Sequence, residues 1–460
     1  MKKGRHYNED EIRLIAKSVI GKTFNDLKSK EVIIIDDTKI QKGSLGEIIE
    51  EALYGIKPNG ESEPDFIDAG IELKVTPYRK NKDNSLSAKE RLVLNMIDFM
   101  TEYKYNFKSS HFWFKNQKLE ILWYMYEDNK NKYDFKITNE CLLDLSLSED
   151  IKQIEKDYYT IISKIKNGKA HELSEADTMY LAACTKGANS NDVRHQPFSD
   201  ILAKRRAFCF KASYMTQLVR KYIGDYSDVE KILINTNKTF EEFVENVIKN
   251  YKGKTQKELM KEFGIESNAK NINNMLISRM FNVKNISDTE EFQKAKIVPK
   301  TIRIEKNGRI KESISFPYFK YTELVKQNWE TSDLKEELET TKYMFFIFKI
   351  EKNEYVFKGI KLWNMPEIDI ETSVMEMWKK TYNTVKTGNI VKSIENGYRT
   401  TNFVGMKDNL VCHVRPHGRN AKDTCKLPIP DRLTGANQYT KHCFWINNTY
   451  IKKIFKEYIS

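Results

Sequence analysis

Long hydrophobic runs are missing from these 460 residues; the longest, such as Tyr343–Phe348, are strand-length and cannot span a bilayer. Cysteine is scarce. Cys141, Cys184, Cys209, Cys412, Cys425 and Cys443 form no CxxC pair, and six in a chain of this length exclude a disulfide scaffold. No apolar segment follows Met1–His6, which runs straight into Asn8-Glu9-Asp10-Glu11, so no secretory signal is expected and the chain reads as a soluble, cytoplasmic protein. Proline is rare as well. None occurs between Pro77 and Pro197, or between Pro197 and Pro299, so no Pro/Gly-rich linker marks a domain boundary. What is present, 40% hydrophobic and 31% charged residues, supplies real cores and rules out a wholly disordered chain. Lys+Arg number 77 against 65 Asp+Glu, a net +12 that points to a polyanionic partner, unless it only reflects a Lys- and Asn-rich coding bias.

The boundary comes from an internal repeat. Gly21-Lys22-Thr23 with Leu27 recurs as Gly253-Lys254-Thr255 with Leu259, and the helix starting near Lys42 is echoed by Lys270–Val283. Lys186-Gly187-Ala188-Asn189 returns as His417-Gly418-Arg419-Asn420, Cys209-Phe210 as Cys443-Phe444, and Tyr222-Ile223 as Tyr458-Ile459. All offsets fall between 228 and 236, in one order. Two homologous halves are therefore expected, residues 1–235 and 236–460, joining near residues 225–250.

The first half carries the clearest chemical signal. Ser44-Leu45-Gly46-Glu47 reads as a capping box; Leu45, Ile48, Ile49, Ala52 and Leu53 then recur at helical spacing until Gly55 closes the helix. Ile71-Glu72-Leu73-Lys74-Val75 alternates as a strand that Pro77 should stop. Lys118–Tyr124 reads as a buried strand, and Ile151–Lys166 and Thr216–Ile223 as helices. On the first strand Glu72 and Lys74 share a face, while Ile71, Leu73 and Val75 point into a core. Asp65, in the preceding turn or strand, is close enough to share a cation with Glu72, and two hard carboxylates suit Mg²⁺. Such an ion activates water and stabilises a leaving oxygen, and an adjacent ammonium offsets phosphate charge. The competing reading makes Glu72 and Lys74 the wet face of an amphipathic strand. Glu50 offers a third carboxylate, although periodicity cannot choose among Glu47, Glu50 and Glu51.

Lys42–Glu50, Pro64-Asp65, Gly70–Lys74 and Thr76-Pro77 together resemble the MutH-like branch of PD-(D/E)xK nucleases. The likeness continues through Gly168–Glu175, Thr185–Asn189, Arg206–Phe208, Lys211, Tyr214 and Thr216, then His413–His417 and Phe444–Asn448. That span resembles the Sau-three-A-type restriction endonucleases, which have two MutH-like halves and cut double-stranded DNA at 5′-GATC with Mg²⁺. The resemblance implies an α/β protein of two tandem MutH-like folds, each a mixed sheet flanked by helices. It puts Glu50, Asp65, Glu72 and Lys74 in the active site, the three acids as metal ligands. It also implies a further lysine in a strand ending in a buried aromatic, Lys115 or alternatively Lys118, ahead of Trp123. Lys186 takes a base- or phosphate-contacting position and Lys211 a backbone-contacting one. Cys209 stands where MutH has a tyrosine that senses adenine methylation, so methylation sensitivity does not carry over.

In the second half the repeat places Ile302-Arg303-Ile304-Glu305 opposite Ile71-Glu72-Leu73-Lys74, Lys296 opposite the aspartate and Ser278 opposite Glu50. Arginine cannot ligate Mg²⁺, so this half is expected to be a pseudo-nuclease. Arg415, His417 and Arg419 still offer groups for guanine edges or phosphates. Cys412, His413, His417, Cys425, His442 and Cys443 lack the paired spacing of a zinc site. One active half per chain implies dimerisation on DNA, with a second recognition site as a further ligand. Two other readings stay open: a MutH-like repair nickase, and a non-catalytic DNA-binding regulator.

Overall fold

The computed structural model describes residues 5–28, 44–57, 62–187, 192–224, 229–234, 236–266, 271–310 and 312–459. Lys42, Gly43, Ala188, Asn189 and Lys270, named above, lie outside that set, as does the side chain of the expected helix cap Ser44. The chain divides into two compact units: Met1–Phe243 with Ser287–Ile297, and Val244–Ile286 with Val298–Ser460. The division falls a few residues beyond the expected 235/236 join. The short helix Glu290–Ala295 clusters with the first unit because its buried Lys294 is bonded there, 2.8 Å from both carboxylate oxygens of Asp150.

In the first unit, helices α1 (Glu9–Ser18) and α2 (Phe24–Lys28) precede α3 (Ser44–Ile48), which widens into a π-helical stretch at Ile49–Tyr54. Gly55 ends it in the left-handed conformation, φ 67°, donating its N–H to carbonyls of Glu50 and Glu51. A four-stranded sheet follows in the order β2-β1-β4-β5, from β1 (Ile71–Lys80), β2 (Leu86–Ala88), β4 (Lys118–Met125) and β5 (Lys136–Asp144). β1 and β4 are parallel, with Glu72 opposite Leu119 and Thr76 opposite Trp123. Trp123 is fully buried and donates its indole N–H to Cys141 Sγ at 3.4 Å; a side chain of that size contributes about 3 kcal/mol by leaving water.

Pro77 does not stop β1, which runs on to Lys80. Its carbonyl accepts from Lys89 N–H, just past β2, so the missing donor falls at the end of that short ladder and costs β1–β4 nothing.

A second sheet, β3-β9-β6, joins β3 (Leu92–Met96), β6 (Leu181–Thr185) and β9 (Arg206–Phe210), and β7 (Val193–Gln196) pairs with β8 (Ser199–Lys204) as a hairpin. Helix α4 (His111–Asn116) is capped by Ser110 Oγ, which accepts Trp113 N–H; α5 covers Ile151–Lys166 and α6 Ala212–Tyr222. The helical spacing read in α5 puts Ile154, Tyr158, Ile161, Ile162 and Ile165 on its buried face.

In the second unit one sheet has the order β10-β12-β13, from β10 (Ile297–Ile304), β12 (Lys342–Glu351) and β13 (Glu354–Trp363). A second has the order β11-β19-β16, from β11 (Ile314–Tyr318), β16 (Cys412–Pro416) and β19 (His442–Ile446). Hairpins join β14 (Val391–Glu395) to β15 (Tyr398–Thr401) and β17 (Thr424–Lys426) to β18 (Gln438–Thr440). These orders repeat β1-β4-β5 and β3-β9-β6 strand for strand, and the antiparallel pairings of β12–β13, β11–β19 and β16–β19 match those of β4–β5, β3–β9 and β6–β9. Among described residues, no helix is long and apolar enough to cross a membrane.

Candidate active site

Strand alternation sends Ile71 and Leu73 into the core beneath α1 and turns Glu72 and Lys74 to the opposite face. That face is not wet: Glu72 is only 3% exposed. A carboxylate so desolvated needs cations, and it has two. Lys74 Nζ donates to Glu72 Oε1 at 2.8 Å, and Lys115 Nζ lies 3.7 Å from the same oxygen.

The parallel register explains Lys115. Because Glu72 pairs with Leu119, residues just ahead of β4 arrive at the end of the sheet that carries Glu72. Lys115 sits there on α4, a helix rather than the expected strand. Lys118 lies on the same face of the sheet as Ile71, its register partner, and pairs with Glu9 at 2.9 Å; it belongs to the α1 side, away from Glu72.

Asp65 is fixed to the start of β1 by two bonds: its N–H donates to Glu72 Oε2 at 3.2 Å, and its Oδ2 accepts Leu73 N–H at 3.0 Å. Burial, then the Glu72 charge, push its carboxyl up to about 6, against the pull of the Leu73 N–H, Lys74 and Lys115. Burial and the Asp65 charge likewise push Glu50 up to about 7, with Lys74 pulling the other way. Glu50 lies in the π-helical stretch, whereas Glu47, one turn earlier, is exposed.

Three half-buried to buried carboxylates, two of them holding protons more tightly than usual, form a hard-oxygen site short of positive charge. Its donor chemistry fits a divalent cation such as Mg²⁺. The oxygens are not drawn together: among described residues, the three acids within 4.8 Å of one another are Glu339, Glu367 and Glu371 in the second unit, where Lys335 lies 2.7 Å from Glu371. In the first unit Lys74 already offsets part of the charge on Glu72.

A family profile described as the DNA mismatch repair enzyme MutH matches residues 54–157, the stretch that carries Asp65, Glu72, Lys74 and Lys115. Over nearly its whole length the chain is similar to the type II restriction enzyme Sau3AI of Staphylococcus aureus, 36% identical across 95% of this chain and 96% of that enzyme. The chain belongs to the MutH-like restriction endonucleases. A second relative, the DNA mismatch repair protein MutH of Shewanella woodyi, is 25% identical over 223 residues, 47% of this chain and 94% of that protein.

Elsewhere in this MutH-like endonuclease the expected DNA contacts fare unequally. Lys186 is exposed just past β6, its N–H held by the Arg205 carbonyl at 3.0 Å. Asp157 sets the start of β6 by accepting the N–H groups of Met179, Tyr180 and Leu181. Lys211 is not presented to a phosphate: it is 2% exposed and donates to the Thr178 carbonyl at 2.6 Å. It holds chain segments together instead. Tyr214 is buried, its hydroxyl on Asp150, the packing role its helical spacing suggests. Arg415, His417 and Arg419 are all exposed; the Arg415 guanidinium lies 4.9 Å over the Trp445 ring, and His417 packs edge-on to the same indole.

The register proposed for the second half needs correction. Arg303 lies near the end of β10, half exposed and bonded to Glu312, whereas Glu72 is second in β1. Each strand is preceded by a left-handed residue, Gly70 at φ 63° and Lys296 at φ 53°. Aligned on those, Val298 occupies the place of Glu72 and Lys300 that of Lys74. The repeat offset drifts along the chain, and sequence alone could not locate this strand start. Ser278 is buried in the helix Ile272–Met280, its hydroxyl donating to the Asn274 carbonyl.

Sequence reasoning also passed over Arg5. Its guanidinium donates to the carbonyls of Pro64, at 2.7 Å, and Asp65, at 3.2 Å. Nothing in a local pattern signals a contact that spans about sixty residues.

Proposed function

We propose that this restriction endonuclease hydrolyses phosphodiester bonds of double-stranded DNA at 5′-GATC, with Mg²⁺, through the first unit alone. The observation that carries the reading is the buried Glu72 carboxylate flanked by Lys74 and Lys115, beside Asp65 and Glu50. Asp65 and Glu72 would hold the cation, with Glu50 assisting. When bound, the ion supplies Lewis acidity toward the phosphate and toward the attacking water. Lys74 orients the nucleophile, and Lys115 offsets charge that builds on the phosphate oxygens. The GATC assignment rests on the likeness to the Sau-three-A-type enzymes.

The second unit is proposed to be a MutH-like pseudo-nuclease that binds DNA and supports or regulates the first. Val298, an apolar residue, cannot replace a metal-binding carboxylate, and the charged neighbour of the half-buried Lys300 is Glu337. The Arg415–Trp445 stack keeps a cation exposed for phosphate or base contact. With one cutting unit per chain, double-strand scission requires two chains meeting on DNA.

Digestion of unmethylated plasmid by wild type and Asp65→Ala, followed by sequencing of the ends, tests the reading. Mg²⁺-dependent breaks confined to GATC and lost in the variant are expected. Breaks elsewhere would sink the site assignment, early accumulation of nicked circles alone would favour a nickase, and intact plasmid that is merely shifted on a gel would favour a non-catalytic binder.

A further inference from the structure

Asp65 meets Glu72 and Leu73 through its own N–H and carboxylate, and its carbonyl and that of Pro64 are bonded elsewhere. Both are taken by one side chain. Arg5 Nε donates to Asp65 O at 3.2 Å and its terminal nitrogen to Pro64 O at 2.7 Å; the side chain is 18% exposed, and Glu63 lies 3.6 Å away. Both of these Arg5 bonds go to main-chain carbonyls, so the side chain holds the backbone of the turn.

Two residues on, Tyr7 is buried and packs edge-on against Tyr54, with ring centres 6.1 Å apart, and against Phe66 at 6.2 Å; Tyr54 and Phe66 meet each other at 4.8 Å. Tyr54 closes the π-helical stretch that carries Glu50, and Phe66 directly follows Asp65. The Tyr54 hydroxyl in turn donates to the Ile12 carbonyl in α1 at 3.0 Å, tying the same helix to the amino-terminal segment. One short stretch, Arg5 to Tyr7, thus contacts two of the three segments that present candidate metal ligands, the turn of Asp65 and the helical stretch of Glu50.

We propose that Arg5 and Tyr7 form a clasp that fixes the separation of Asp65 and Glu50, with Arg5 a positioning residue for the metal site. The inference rests on the metal-dependent reading above. A planar guanidinium spans two successive carbonyls, which a lysine ammonium cannot do in the same geometry. Loss of the clasp frees the turn, so the ligands must be ordered when the cation binds, and affinity for the cation falls.

The test uses the full chain as wild type, Arg5→Ala and Arg5→Lys. Mn²⁺ binding without DNA is measured by calorimetry, alongside the Mg²⁺ dependence of duplex cleavage, DNA affinity in EDTA and the melting temperature. Arg5→Ala is expected to weaken Mn²⁺ binding by about 10–100-fold, the usual loss when a group behind a metal ligand is removed, and to raise the Mg²⁺ needed for half-maximal cleavage by the same factor. Cleavage at saturating Mg²⁺ and DNA affinity in EDTA stay near wild type, and Arg5→Lys recovers only part of the loss. Unchanged Mn²⁺ affinity in both variants overturns the proposal, whether or not the rate falls. If Arg5→Ala does not fold, Arg5→Lys is judged by the same criterion. A wild-type chain that binds Mn²⁺ yet cuts no DNA would defeat the nuclease reading and leave the effect of Arg5 on cation affinity to be scored separately.

Discussion

Replacing Asp65 by asparagine should make the metal-free protein more stable while abolishing cleavage. The Asp65 carboxyl is lifted from 3.8 to about 6 by burial and by the Glu72 charge. At about 1.4 kcal/mol per unit, ionised Asp65 opposes folding by up to ~3 kcal/mol near pH 8. Partial exposure and relaxation of its neighbours reduce the gain expected from removing that charge to about 1–2 kcal/mol. Asparagine is nearly isosteric, and its amide oxygen can still accept the Leu73 N–H, so little packing or hydrogen bonding is lost. For a unit of this size the gain corresponds to a rise in melting temperature of about 2–8 °C. Scanning calorimetry in EDTA at pH 8 measures it, and Mg²⁺ should then stabilise wild type but not the variant. A variant that melts lower than wild type in EDTA, or that retains cleavage, would refute the reasoning that crowded carboxylates are held in place for a cation.

Other outcomes follow from the same geometry. Lys115→Met should reduce cleavage about 100-fold or more, as expected for loss of a group that stabilises charge at the phosphate, whereas Lys118→Met should leave the rate near wild type and cost no more than ~1 kcal/mol, because it breaks only partly exposed pairs with Glu9 and Asp144. Equal rates for the two variants would contradict the placement of α4. Lys211→Met should lower stability by about 1–3 kcal/mol by leaving the Thr178 carbonyl unpaired, with DNA affinity of the folded protein unchanged; weakened DNA binding at unchanged melting temperature would restore Lys211 as a DNA contact. Glu120 is fully buried on β4 next to Glu140 of β5, faced by Arg13 and Lys17 of α1 and by Tyr54, and burial followed by the Glu140 charge raises its carboxyl well above the usual range. The folded state therefore keeps a proton that the unfolded state has lost, so this group's contribution to stability declines as pH rises from its unfolded value, about 4.5, through its raised folded value. Glu120→Gln should flatten that decline, and urea midpoints at pH 5 and pH 9 that shift equally in both proteins would count against it.

Part of this was legible in the linear chain because it depends on neighbours a few residues apart. Alternation at Ile71–Val75 put Glu72 and Lys74 on one face, and the spacing of Ile154, Tyr158, Ile161 and Ile165 defined a helix with one buried side. Gly55 marked a helix end because the left-handed backbone there favours a residue without Cβ. Pro77 misled for a physical reason: a missing N–H breaks a strand only where a ladder needs it, and ladder membership is not a local property.

By itself, then, the sequence determined which chemistry-bearing residues exist, the faces they share within one element, and the order Asp65, Glu72, Lys74 along the chain. Tertiary structure alone decided that Glu72 is buried rather than wet, and that Glu50 is half-buried and raised by the Asp65 charge whereas Glu47 is exposed. It also decided that Lys115 rather than Lys118 reaches Glu72, that Lys211 is interior, and that Arg303 lies half exposed near the end of its strand. Each of those outcomes turns on pairing between segments far apart in the chain, such as Glu72 against Leu119 and Arg5 against Pro64. Periodicity assigns a side chain to a face; only the register between distant strands and helices settles what that face meets.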